Sequence, residues 1–155
     1  MIFPGGSIIK IPDFPLSQGP RTKYFIVLEC SDYGLYNLLA MTTTNKSDFY
    51  FTSNSISVTY GSISYSNDPN FIFCFPRNYV IGSTNNFSFW DDTFILSEHC
   101  FREYNCEEIN KFNPELLDSL MDNIYNDLLY CLYKSDNTKE KYRKILEPIL
   151  SKINK

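Results

Sequence analysis

The sequence predicts a mainly β fold, a small barrel or sandwich, with helices at its C-terminal end. Three observations predict it. Aromatic residues make up 17% of the 155 residues and apolar residues 43%, which is typical of aromatic-rich strands around one core. Residues 1–110 consist of short β-branched and aromatic runs separated by Gly, Pro, Asn and Ser. From residue 113, apolar residues recur every three or four positions, as in helices.

Residues 1–110 are therefore predicted to form the β core of a single domain that spans 1–155, with 113–155 as its helical extension. Turns between strands are indicated at Pro4-Gly5-Gly6, Ser17-Gln18-Gly19-Pro20, Tyr60-Gly61 and Asn67-Asp68-Pro69-Asn70. The predicted strands are Ser7–Ile11, Lys23–Glu29, Leu35–Met41, Ser55–Tyr60, Ser62–Tyr65, Phe71–Phe75, Tyr79–Ile81 and Thr93–Ser97.

Two helices are predicted after the β core. Asn113-Pro114-Glu115 is typical of a helix start, with an Asn cap, proline at the first helical position and an acid in the first turn. Ser135-Asp136-Asn137 then interrupts the helical pattern. Pro148 lies inside the second helix and predicts a kink or restart near Glu147. The first apolar stripe consists of Leu116, Leu117, Leu120, Met121, Ile124, Leu128 and Leu132, and the second of Tyr142, Ile145, Leu146, Ile149, Leu150 and Ile153.

The charge distribution excludes a protein that coats duplex nucleic acid through a uniformly basic surface. The chain has a net charge of −4, and the first 138 residues alone carry −8. Phosphate neutralisation supplies the affinity of such coating proteins, whereas a small local nucleic-acid site or a basic partner is compatible with this charge. No apolar run approaches the ~20 residues of a membrane span, and residues 1–10 are too short and polar for a signal peptide. We therefore expect a soluble, cytoplasmic protein.

No metal or other cofactor is predicted. The odd number of cysteines without a secretory signal predicts reduced thiols, at Cys30, Cys74, Cys100, Cys106 and Cys131. His99-Cys100 with Cys106 lacks the spacing of a zinc site, and the chain holds no second histidine. His99 is interpreted as structural. Asp91-Asp92 is interpreted as a turn, because adjacent residues of a strand point to opposite faces.

One ordered series of segments resembles a known family. The stretch Gly6–Pro15 leads through the Ser17-Gln18-Gly19-Pro20 loop to Arg21, and the apolar strand Tyr24–Leu28 follows. The next strand, Leu38–Met41, ends in Thr42-Thr43-Thr44. This order resembles the MazF/PemK-like toxins of bacterial toxin–antitoxin pairs.

The resemblance covers about residues 5–100. Tyr79-Val80-Ile81-Gly82 and Asp92-Thr93-Phe94-Ile95 look like the closing strands of the family. Two features depart from its pattern. Arg21 is followed by Thr22-Lys23 where the family usually has proline, and the segment 49–71 is longer than in typical members.

The resemblance implies a small SH3-like β-barrel decorated by one or two helices. It also implies a metal-independent endoribonuclease that cuts single-stranded RNA by attack of the ribose 2′-hydroxyl on the adjacent phosphate. Arg21 is the predicted phosphate-binding cation, because its planar guanidinium binds two phosphate oxygens and keeps its proton. Thr42 or Thr43 is predicted to supply a hydroxyl to the scissile phosphate, and Lys23 an accessory cation.

Pro15 and Gln18 of the preceding loop are further predicted substrate-binding residues, and no residue is assigned as general base. The resemblance also implies a homodimer that is neutralised by an antitoxin protein.

Two other functions stay open at this point. A non-catalytic barrel that binds a protein, like the gyrase-poisoning relatives or a degenerate toxin, is favoured by the missing Arg-Pro pair. A plain SH3-like module that binds a peptide through its aromatic residues is the third possibility. The combination of Arg21 with Thr42 and Thr43 favours the enzyme, whereas the acidic body favours the binding proteins.

Overall fold

The computed structural model of the chain describes residues 2–31, 37–44, 58–65 and 68–153, which form antiparallel sheets and helices. The strands are β1 (Ser7–Phe14), β2 (Arg21–Cys30), β3 (Asn37–Met41), β4 (Gly61–Tyr65), β5 (Asp68–Phe75), β6 (Thr93–Leu96), β7 (Phe101–Tyr104) and β8 (Glu115–Ser119). The helices are α1 (Cys106–Lys111), α2 (Asp122–Lys134) and α3 (Glu140–Ile153). A mainly β chain with C-terminal helices is confirmed.

The larger sheet has five strands in the order β7-β3-β2-β1-β8, so β2 lies at its centre. The smaller sheet has the order β4-β5-β6. Two single-pair bridges connect the sheets and their loops. One joins Thr43, just after β3, to Phe94 of β6, and the other joins Gly82 to Leu120.

The centre of the five-stranded sheet is buried on both faces, since consecutive apolar residues of its central strand are buried in two different clusters. Ile26 and Leu28 of β2 belong to a first cluster, which also contains residues of the smaller sheet, α2 and α3. Phe25 and Val27 point to the other face and belong to a second cluster with Ile109 of α1. All four β2 residues are fully buried. This pattern explains why β2 reads as an unbroken apolar run rather than an alternating one.

The two C-terminal helices pack against each other and cover the first cluster. The buried residues of α2 are Ile124, Leu128, Leu129, Cys131 and Leu132, and those of α3 are Tyr142, Leu146 and Leu150. Ser135-Asp136-Asn137 separates the helices, as predicted.

The predicted helix start at Asn113-Pro114-Glu115 is wrong. Residues Glu115–Ser119 form β8, which pairs antiparallel with β1 through Lys10–Glu115 and Ser7–Ser119. Asn113 has φ +54°, a left-handed turn conformation rather than that of a helix cap. Leu116 and Leu117 therefore lie on a strand, and the helix begins only at Asp122. Pairing with β1 overrides the local helix signal.

A short helix and a strand that the sequence interpretation missed precede β8. Asn105 caps α1 through a capping box: its side chain accepts from the Glu108 N–H at 2.9 Å, and the Glu108 carboxylate accepts from the Asn105 N–H at 3.0 Å. The spacing Asn-x-x-Glu carries that signal in the sequence. β7 pairs with β3 directly before it.

The other strand predictions had mixed outcomes. Tyr79–Ile81 is wrong, since these residues form no strand, and residues 68–70, predicted as a loop, begin β5. Ser55–Tyr60 falls mostly outside the described residues, and its described part, 58–60, contains no strand. The remaining predicted strands are confirmed where they are described, and the Ser17–Gln18 turn joins β1 to β2.

Pro148 lies inside α3, which continues through it from Glu140 to Ile153 without the predicted restart. Proline in a helix interior removes one backbone hydrogen bond and crowds the preceding turn. Pro148 is exposed. We therefore expect Pro148→Ala to raise the free energy of unfolding by about 1–3 kcal/mol in urea denaturation. The neighbouring exposed substitution Glu147→Ala should change it by less than about 0.5 kcal/mol. A Pro148→Ala variant no more stable than the parent protein would contradict this expectation.

A buried carboxylate fastens the loop after Gly82 to β8. Asp118 is 3% exposed, and its two oxygens accept backbone N–H groups of Thr84 at 3.0 Å, Asn85 at 2.8 Å, Phe87 at 3.1 Å and Ser119 at 2.7 Å. Burial would raise the pKa of Asp118, but these four hydrogen bonds outweigh it and hold the pKa below its usual value. We call this arrangement the Asp118 clamp.

Candidate functional site

The predicted cations Arg21 and Lys23 lie on one face of the larger sheet, where β2 begins. Lys23 is the cross-strand partner of Ile11, and Arg21 that of Phe14. Side chains of directly opposed residues point to the same face, and Ile11 and Phe14 belong to the second cluster. Arg21 is exposed and Lys23 is half-buried at the edge of that cluster.

A third cation, Arg102 on β7, joins them from across the sheet. Arg102 is the partner of Leu39, another residue of the second cluster, so it lies on the same face. One terminal nitrogen of its guanidinium donates to the carbonyl oxygens of His99 and Phe101, both at 2.8 Å. We call Arg21, Lys23 and Arg102 the cation cluster.

Lys23 lies close enough to Arg21 and Arg102 to be affected by their charges. Burial, followed by the positive charges of Arg21 and Arg102, lowers the pKa of the Lys23 ammonium. No ion pair joins any member of the cation cluster to a carboxylate of the described residues. Three like charges without a counter-charge repel one another, and a bound anion would relieve that repulsion.

Thr42 is next to the cation cluster, but its hydroxyl is already engaged. The Lys23 ammonium lies 3.5 Å from the Thr42 carbonyl oxygen. Thr42 is 4% exposed, and its hydroxyl donates to the carbonyl oxygen of Tyr24 at 2.8 Å. Thr43 forms the backbone bridge to Phe94, with N···O distances of 2.9 and 2.8 Å. The structure thus brings Arg21, Lys23 and the Thr42 backbone together, but it does not direct the Thr42 hydroxyl toward the cations.

Pro15 and Gln18 are exposed in the loop that leads into Arg21. The turn is closed by a hydrogen bond from the Gly19 N–H to the Leu16 carbonyl at 3.0 Å, and Gly19 has φ +113°, a conformation that favours glycine. Leu16 packs against the second cluster, on the face that carries the cation cluster. The loop therefore borders that face.

His99, interpreted as structural, lies at the surface. Its side chain is 69% exposed, and its ring nitrogen lies 3.9 Å from the Glu98 carboxylate. Together with Arg102 and Lys139, His99 lines a cavity of about 280 Å³. Cys100 is buried, and the five cysteines, all within the described residues, form no disulfide bond. Within the described part of the chain, no group of three or more His, Cys, Asp or Glu residues is arranged to hold a metal ion.

Asp91 lies in a bend and Asp92 follows it directly before β6, in agreement with the turn interpretation. The Asp92 carboxylate accepts the Arg77 N–H at 3.0 Å, and the Asp91 carbonyl accepts the Thr93 hydroxyl at 2.9 Å. The Asp92 carboxylate thus holds the chain at Arg77, as expected of a turn residue.

The arrangement is suited to bind an anion with several oxygens, such as the phosphates of a nucleic-acid backbone. Arg21 presents an exposed guanidinium fork, and Lys23 adds a point charge beside it. Sequence reasoning missed Arg102, because β7 itself was not predicted. The two aromatic residues Phe101 and Tyr104 directly before the α1 cap, a residue type enriched in strands, are the signal that could have found it.

The chain matches no known family in a comparison with family models, no curated protein and no solved structure. Among the described residues, no helix has both the length and the apolar character required to cross a membrane.

Proposed function

We propose that this chain is a MazF/PemK-like toxin, a metal-independent endoribonuclease that cleaves single-stranded RNA. One observation carries the proposal: Arg21, at the position the resemblance gives to the phosphate-binding arginine, lies in a cation cluster without a carboxylate partner among the described residues. A local cationic site of this kind is also what an acidic chain needs if it is to bind RNA.

In the proposed reaction, the ribose 2′-hydroxyl gives up its proton to water and its oxygen attacks the adjacent phosphorus. The bond to the 5′-oxygen breaks, and that oxygen takes up a proton from water. The products are a 2′,3′-cyclic phosphate and a 5′-hydroxyl end. Negative charge grows on the non-bridging phosphate oxygens in the transition state, and the fixed charges of Arg21 and Lys23 stabilise it. Arg102 holds the next part of the backbone. The proposal assigns no general base.

The same proposal includes an SH3-like barrel and a homodimer in the cytoplasm, controlled by an antitoxin. The bridge from Thr43, just after β3, to Phe94 of β6 connects the two sheets and supports the barrel. An acidic segment of an antitoxin has the charge to occupy the cation cluster in place of RNA.

The test is cleavage of a long single-stranded RNA in EDTA by the parent protein and by Arg21→Ala. We expect discrete cuts with cyclic-phosphate ends from the parent, and a cleavage rate reduced by about 10²–10³-fold in the variant. Arg77→Ala is the matched control, since Arg77 is an exposed arginine outside the cation cluster, and its rate should stay within about twofold of the parent's.

If Arg21→Ala and Arg77→Ala reduced the cleavage rate equally, the overall positive charge and not the cation cluster would account for the cleavage. Binding of a fluorescent, uncleaved RNA should be measured alongside. If the RNA is neither cut nor bound at any protein concentration, the proposal is wrong.

A second candidate function is a non-catalytic protein of the same fold that binds a protein partner. The observation that favours it is the Thr42 hydroxyl, which is buried and donates to the Tyr24 carbonyl instead of facing the cations. An RNA that stays intact and unbound in the experiment above would leave this candidate as the better one.

A further inference from the structure

A second surface feature is a groove of about 450 Å³ on the face of the larger sheet opposite the cation cluster, and Thr42 is among the residues that line it. Tyr24 and Lys10 are cross-strand partners, and their side chains point away from the face that carries Lys23. The remaining lining residues include Phe87, Phe89, Trp90, Asp91, Glu115 and Leu117. We call this feature the Trp90 groove.

Trp90, the single tryptophan of the chain, is 90% exposed at this groove. Its neighbour Phe89 is buried and makes edge contacts with Tyr24 at 5.8 Å and Phe87 at 5.0 Å between ring centroids. Burial of Phe89 thus directs the next side chain outward. An almost fully exposed indole is unusual, because tryptophan contributes more apolar surface than most other side chains.

The segment that carries Trp90 is anchored on both sides. The Phe89 carbonyl accepts the Asn78 N–H at 2.9 Å, and the Asp92 carboxylate accepts the Arg77 N–H at 3.0 Å. On the other wall, the Asp118 clamp holds the loop that presents Phe87. The backbone on both sides of Trp90 is therefore held by hydrogen bonds, so that a ligand can bind the indole with little ordering of the protein.

The charges of the Trp90 groove favour a cationic ligand. Lys10 is directly opposite Glu115 in the β1–β8 pair, so the positive charge of Lys10 offsets that carboxylate. The exposed Asp91 carboxylate, next to Trp90, makes no hydrogen bond or ion pair with the described residues. The groove thus combines an open aromatic face with a carboxylate that lacks a counter-charge.

We propose that the Trp90 groove binds an arginine side chain of a partner polypeptide. The planar guanidinium stacks on the Trp90 ring and donates two hydrogen bonds to the Asp91 carboxylate. A nucleic-acid base is the less favoured ligand, because its phosphate would meet the net negative charge of Asp91, Glu115 and Lys10. The acidic body of the chain attracts a basic segment in the same way.

The single tryptophan allows this site to be observed directly. We would titrate the protein with a short arginine-containing peptide and follow Trp90 fluorescence, with the citrulline peptide as the matched neutral ligand. Citrulline keeps the shape of arginine and lacks its charge. We expect a saturable change with the arginine peptide at 0.15 M salt, and binding at least tenfold weaker with the citrulline peptide.

Two variants separate the site from general charge attraction. Asp91→Asn should weaken binding by roughly fivefold, whereas Glu107→Gln, which removes an equal charge at an exposed position of α1 outside the groove, should leave it unchanged. Trp90→Leu, measured by calorimetry, should lose binding; its high exposure makes misfolding a poor explanation. Equal affinity for both peptides, equal effects of Asp91→Asn and Glu107→Gln, or fluorescence changes that only single-stranded RNA produces would each overturn the proposal.

Discussion

Replacing Asp118 with alanine is expected to lower the free energy of unfolding by about 3 kcal/mol. The substitution leaves the N–H groups of Thr84, Asn85 and Phe87 without the acceptor that the folded chain provides. Hydrogen bonds to a charged acceptor contribute about 1.5–3 kcal/mol each, and part of that loss is recovered where the freed groups reach water. Urea denaturation followed by far-UV circular dichroism measures the difference. The exposed substitution Asp136→Ala should change stability by less than about 0.5 kcal/mol.

The Asp118 carboxylate also makes the free energy of unfolding decrease as the pH falls. Because the folded pKa of Asp118 lies below its unfolded value, the contribution is complete above the unfolded pKa of about 3.9. It is lost as the pH falls through the folded pKa. Asp118→Ala should therefore remove part of the acid sensitivity below about pH 4. An unchanged pH dependence in the variant would show that the clamp does not hold a charged Asp118.

Gly82→Ala is expected to cost about 3 kcal/mol as well, although it only adds a methyl group. A Cβ atom at position 82 would overlap the Asp118 carboxylate and would lie 2.7 Å from the backbone nitrogen of Phe87. To make room for the methyl group, the backbone at position 82 and the Asp118 carboxylate would have to move apart. This movement breaks hydrogen bonds between the carboxylate and the loop. Thr84→Ala is the matched control in the same loop, because it keeps the backbone N–H that the clamp uses, and it should cost less than about 0.5 kcal/mol.

The two substitutions should not be additive. Once Asp118→Ala has removed the carboxylate, the added methyl group meets less obstruction and fewer hydrogen bonds are left to break. We expect the double variant to be more stable than the sum of the single losses predicts, by at least about 1 kcal/mol. Full additivity would show that the Gly82 effect comes from the main chain alone.

Much of the β core could be predicted from local sequence, because its buried strands consist of consecutive apolar residues. The run Phe25-Ile26-Val27-Leu28 identifies β2 without further information. The segment after Asn113 has equally clear local signals, but they indicate a helix where the structure has the strand β8. Its conformation is decided by the partner strand β1, about 100 residues earlier, and local propensity cannot report such a contact.

The candidate site was predictable in part for the same reason. Arg21 and Lys23 lie at alternate positions of one predicted strand, so their common face follows from the strand period. Arg102 reaches that face only through the pairing of β7 with β3, a strand order that the sequence does not state. Trp90 was passed over because its exposure depends on how Phe89 packs. The resemblance to the toxin family stays a prediction.

The central position of β2 ties the two hydrophobic clusters into one cooperative unit. Its alternate side chains belong to different clusters, so neither layer can detach without exposing apolar surface on the strand shared by both. Local opening of α1, or of α2 and α3, should leave the β2 amides protected from hydrogen exchange. The slowest hydrogen exchange in the chain should therefore come from the middle of β2. A polar side chain introduced anywhere in Phe25–Leu28 would be buried, because neither face of the sheet is exposed to solvent at these positions.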